Sequence, residues 1–149
     1  MQLKPLKETK NFTFYTPDPA HDIEVPFVEG GITAGFPSPA DDFKEVRISL
    51  DKTLIKNTDA TFYARVKGQS MMGAGIDDGD LLIVDKSLEP QNNKIAVCFL
   101  DGEFTVKRLK VEKDAVYLVP ENEDYKAIKV TKENQLIIWG IVTYVIKRV

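Results

Sequence analysis

From about residue 43 onward the chain reads as short β-type runs of alternating apolar and polar positions separated by turn residues. Phe62, Ala64 and Val66 alternate with Tyr63, Arg65 and Lys67; LLIVD at 81–85, KIAVCFL at 94–100, EFTVKRLK at 103–110 and AVYLV at 115–119 follow at short intervals. A period of two with β-branched and aromatic enrichment is the pattern of strands. The runs are bounded by turn residues, Asp78-Gly79, Asn92-Asn93 and Asp101-Gly102, and the last of these predicts a hairpin between neighbouring strands. The C-terminal LIIWGIVTYVIKRV predicts one long strand kinked at Gly140. A helix is predicted only near Ser49 to Asn57. Short strands at regular spacing give a mainly β fold, barrel-like or built of several short coiled sheets.

The first 40 residues differ. Pro5, Pro17, Pro19, Pro26, Pro37 and Pro39 lie there, with Gly30-Gly31 between them. Proline lacks the N–H that a ladder needs and fixes φ. Residues 1–40 are therefore expected to be a flexible N-terminal arm and residues 41–149 a β domain, with Phe12-Thr13-Phe14-Tyr15 and Ile23-Glu24-Val25 pairing at most as transient strands.

Composition narrows the function. The chain has 149 residues, 43% of them hydrophobic and 29% charged, enough for an autonomous core. A net charge of −3 and a pI near 5.2 disfavour direct DNA binding, which needs a basic patch. No apolar run approaches the ~18 residues needed to span a bilayer, and the N-terminus lacks a signal-peptide pattern, so a cytoplasmic, membrane-free protein is expected. One histidine, His21, and one cysteine, Cys98, cannot supply a metal-binding set, and no cofactor is implied. Cys98 in KIAVCFL reads as a buried strand position.

With His21 alone in the arm, a Ser-His-Asp triad is excluded unless the arm supplies the base. The run Asp77-Asp78-Gly79-Asp80 fits a tight turn better than a catalytic carboxylate pair. The stretch 68–75 is glycine-rich but lacks the ending of a phosphate-binding loop. What remains is Ser70 on a turn leaving strand 61–67, near backbone N–H groups able to face an oxyanion, and Lys107, which alternation puts on one strand face with Thr105 and Leu109.

GFPSPADDF at 35–43, KGQSMMGAGIDDGDLLIVD at 67–85 and DGEFTVKRL at 101–109 closely resemble the UmuD proteins, the mutagenesis members of the LexA-like self-cleaving peptidases. The resemblance spans about residues 33 to 149 and includes the spacing of serine to lysine. It implies a LexA/signal-peptidase-like fold, Ser70 as nucleophile, Lys107 as general base, Gln69 and Ser70 N–H groups as oxyanion donors, and Ala34-Gly35 as the bond cut. It also implies stimulation by the RecA filament on single-stranded DNA after DNA damage (the SOS response), service to a Y-family (UmuC-like) translesion polymerase, and a homodimer. Two positions depart from the usual UmuD pattern: Ala34 replaces Cys, and Gln69 stands where Asp is common.

A lysine at its reference pKa of about 10.4 is neutral in only about four molecules in ten thousand at pH 7. Removal from water disfavours the ammonium and makes a base of it. Docking of the arm near Ile32, Thr33 and Phe36 is expected to deliver the scissile carbonyl and dry the lysine together. Three other readings stand beside this one: the peptidase half of a LexA-type repressor, a signal-peptidase relative, and a non-enzymatic β-domain that binds a polymerase or filament.

Overall fold

The alternating runs become strands. A computed structural model describes residues 5–17, 24–27, 46–68, 75–119, 127–131 and 136–149. The strands are β1 (Pro5–Glu8), β2 (Phe12–Tyr15), β3 (Glu24–Phe27), β4 (Val46–Ser49), β5 (Thr61–Val66), β6 (Leu81–Asp85), β7 (Ile95–Leu100), β8 (Glu103–Val111), β9 (Val116–Val119), β10 (Ile128–Lys129) and β11 (Leu136–Ile146). Nine of them form an antiparallel sheet in the order β1-β2-β5-β6-β11-β7-β8-β9-β10, while β3 and β4 pair separately.

The chain divides into two compact units, residues 1–17 with 57–149 and residues 18–56. The smaller unit contains the β3–β4 pair and α1 (Leu50–Leu54), inside the stretch predicted as helical. Ser49 caps α1, its side chain accepting from the Lys52 N–H.

The middle strands of the large sheet carry buried side chains on both faces. Val97 and Val106 join Phe12, Phe14, Ala64, Val66, Ile76, Leu82 and Val84 on one side. Ala96, Cys98, Leu109, Leu118 and Ile141 pack on the other. Successive residues of β7 therefore enter different cores, which is why IAVCFL at 95–100 is an unbroken apolar run.

Two glycines shape this arrangement. Asp101 (φ 48°) and Gly102 (φ 85°) both take left-handed backbone, the geometry of the two-residue hairpin that the sequence predicts between β7 and β8. At Gly140 the ladder slips against β7, placing an extra residue between Ile138 and Ile141. As a result Ile138 and Ile141 face one core and Trp139 and Val142 the other, a pattern that strict alternation forbids. The kink is also a close approach, since a Cβ at Gly140 would sit 2.6 Å from Val84 Cγ1.

One expectation is corrected. Residues 12–15 are not a transient strand: β2 pairs with β5 from Phe12↔Val66 to Tyr15↔Tyr63. Phe12 and Phe14 are among the most buried side chains, each worth about 1.5–3 kcal/mol of burial. The prolines that argued for an unpaired arm flank this segment, with none between Pro5 and Pro17. Pro5 itself opens the edge strand, where a missing N–H costs little.

Candidate active site

Lys107 lies in β8, an interior strand between β7 and β9, opposite Ala96 of β7. It is half-buried on the face that carries Ala96, Cys98 and Leu109. It is therefore not the solvated edge residue that a lone strand lysine usually is. The polarity of that face is reported by Cys98, which is buried as expected. Desolvation pushes its thiol up to about 12, outweighing the Lys107 charge, which acts in the opposite sense.

Ser70, Gln69, Ala34, Gly35 and His21 lie outside the described residues. What the structure does describe is the neck of the segment that carries Ser70. On one side stand Val66, Lys67 and Gly68; on the other, the turn 77–80. Val66 N–H donates to Asp80 O at 2.9 Å, Gly79 N–H to Val66 O at 2.9 Å and Gly68 N–H to Asp78 Oδ1 at 2.6 Å. Arg65 Nη1 adds a bond to Gly79 O at 2.9 Å. The acidic run is turn chemistry, as read from the sequence, and its carboxylates also close the neck.

A further clamp comes from the chain's far end. Lys147 Nζ pairs with Asp77 Oδ2 at 2.8 Å and with Asp80 Oδ2, which also accepts from the Asp77 N–H at 2.8 Å. Hydrogen bonds to the two carboxylates, Asp77 first, hold the Lys147 ammonium above its ordinary value. Asp80 is buried, so this is a carboxylate supplied with partners.

In the sheet, β2 and β8 are five strand steps apart. A flat sheet at about 4.8 Å per step would separate them by roughly 24 Å. Yet the rings of Phe14 and Phe104 have centroids 4.9 Å apart, and both rings meet Trp139. The sheet is therefore strongly curled. Asn11, in the β1–β2 turn, sits in the join: its carbonyl accepts from Lys67 N–H at 2.8 Å and its Nδ2 donates to Phe104 O at 3.1 Å. One residue thus touches the chain three positions before Ser70 and three positions before Lys107.

Sequence reasoning missed Asn11, Lys147 and the carboxylate clamp. Asn11 carried a turn signal at most, and Lys147 is one of several basic residues near the C-terminus. Both act through partners distant in the chain, which no local pattern encodes.

Among the described residues no helix is long and apolar enough to cross a membrane. Residues 26–143 match the family described as Peptidase S24-like. Protein MucA of Salmonella typhimurium is 38% identical over 121 residues, covering 80% of this chain and 82% of MucA. Protein ImpA of Salmonella typhimurium is 42% identical over 116 residues, 77% of this chain and 78% of ImpA. The LexA repressor of Alcanivorax borkumensis is 42% identical over 118 residues, 79% of this chain and 56% of the repressor.

Proposed function

The chain belongs to the Peptidase S24-like family, and from that premise we propose that it is a serine peptidase that cuts its own backbone between Ala34 and Gly35. Ser70 Oγ attacks the Ala34 carbonyl carbon while Lys107 Nζ, neutral at that moment, takes the hydroxyl proton. Backbone N–H groups of Gln69 and Ser70 receive the developing oxyanion. The C–N bond then breaks, the Gly35 amine leaves with the proton held by Lys107, and water hydrolyses the acyl-enzyme at Ala34. The product begins at Gly35.

The observation that supports this reading best is Asn11, which ties the approach to Ser70 to the strand of Lys107. A base and a nucleophile on separate strands need such a tie, because misplacement by about 1 Å can cost roughly a hundredfold in rate.

The biological setting follows from the resemblance to the UmuD and LexA proteins. RecA filament on single-stranded DNA stimulates the cut in the cytoplasm, and the product beginning at Gly35 serves a Y-family polymerase as a homodimer. Tyr144, Val145 and Ile146, exposed at the end of β11, are a surface for that dimer.

The test is direct. The purified chain is incubated at mildly alkaline pH, where more of any lysine is neutral, with and without RecA filament, and its products are weighed. New masses that correspond to a cut at Ala34-Gly35, absent in Ser70→Ala and Lys107→Ala, are expected. Intact mass under every condition favours a binding module instead.

A further inference from the structure

We propose that residues 5–17 are a permanent part of the peptidase body and stay docked on β5 after the cut, so that the processed protein is a two-chain complex. The proposal rests on the reading of Ala34-Gly35 as the bond cleaved. That cut lies C-terminal to β1 and β2, so it would sever their covalent link to the sheet they complete.

The contacts that remain are those of a core. All of β2 is paired with β5, and Phe12 and Phe14, 0% and 2% exposed, fill the first core beside Ala64, Val66 and Val106. Phe14 also packs against Phe104 and Trp139, both with centroids at 4.9 Å. The hairpin is closed from within: Thr9 N–H and Oγ1 both donate to Phe12 O, at 2.8 and 3.2 Å, and Phe12 N–H donates to Thr9 Oγ1. Its tip is held from outside by Asn11, and Lys67 Nζ reaches Glu8 Oε1 at 2.5 Å and Thr9 O at 3.1 Å.

Departure of the hairpin would open the β5 ladder edge and uncover Phe104 and Trp139. A bare aromatic cluster is costly in water, and an unpaired β5 is a template for another strand. The geometry therefore favours retention, with a hairpin bearing two aromatic side chains on one strand face as the ligand and the β5 edge as its site.

The experiment avoids self-cleavage. In a Ser70→Ala chain, residues 29–33 are replaced by the recognition sequence of an added site-specific protease, and the digested protein is run on native size exclusion at micromolar concentration with mass detection. Co-elution of both pieces, lost only in denaturant, is expected. A small piece that elutes alone, whether the remainder stays soluble or precipitates, overturns the proposal. The same digestion of a chain with Phe12→Ala and Phe14→Ala should release the small piece; retention there would refute β5 and its aromatic cluster as the docking surface. If the double variant does not fold, the first arm decides alone. A native chain that never cuts itself would overturn the proposed function and leave the retention result standing.

Discussion

Replacing Asn11 tests whether the hairpin tip positions the active site or only decorates it. Asn11→Ala removes the Nδ2 donor to Phe104 O at 3.1 Å and leaves the backbone bond from Lys67 N–H to Asn11 O intact. A lost neutral hydrogen bond costs about 0.5–1.5 kcal/mol. That lowers the melting temperature by a few degrees at most for a domain of this size. Domains are stable by about 5–15 kcal/mol, so almost every molecule stays folded at 25 °C. A folded population near unity cannot explain a slower reaction.

Self-cleavage should nevertheless slow by about fivefold or more, towards the roughly hundredfold of a misplacement of about 1 Å. Asn11→Asp sharpens the test, because aspartate keeps the turn preference while its carboxylate cannot donate. Rates are read by mass spectrometry at 25 °C, and stability by urea unfolding of the same samples. Both variants should show a rate loss larger than their stability loss accounts for. Either one cutting at the unaltered rate would refute the tie between the serine segment and β8.

Three other outcomes are expected. Lys147→Ala should slow self-cleavage and Lys147→Arg should largely restore it, since arginine can bridge Asp77 and Asp80; equal loss in both would reject the clamp as a positioning device. Gly140→Ala should cost about 1–3 kcal/mol in urea unfolding through the 2.6 Å approach to Val84 Cγ1, and Val84→Ala in the same chain should relieve part of it; strict additivity would reject the clash. Cys98 should resist thiol reagents while folded. Its pKa rises from the ordinary 9.0 to about 12, so the contribution of its neutral form to stability is complete below pH 9 and disappears as pH climbs towards 12. Urea midpoints between pH 9 and 11 should therefore fall more steeply for the native chain than for Cys98→Ala.

Much of the β unit was readable because its signals are local. Asp101-Gly102 demands left-handed backbone at two successive residues, and that alone sets the β7–β8 hairpin. Gly140 in a run of bulky residues marked the bulge, though not the second core that the bulge allows. The N-terminal strands were misread because proline density was averaged over 40 residues, while no proline falls between Pro5 and Pro17 and Pro26 is itself a position of the β3–β4 pair. The bond from Asn11 to Phe104 spans 93 positions in the chain. A contact of that kind depends on how far the sheet curls, which no window of sequence contains.

The curl itself links these particulars. A sheet packed on both faces has little room for charge in its middle strands, and β8 carries Lys107 there beside Ala96, Cys98 and Leu109. Cys98 shows how strongly that face penalises charge, since burial outweighs the attraction of a nearby ammonium. Lys107 is only half-buried on that face. The curvature is fixed by the aromatic contacts of Phe14, Phe104 and Trp139 across five strand steps. Two of those rings belong to the body and one to the N-terminal hairpin, so the core on the far side of β8 from Lys107 is completed by a residue upstream of the proposed cut. Under the proposed mechanism, the leader is already folded into the sheet when the link to it is severed.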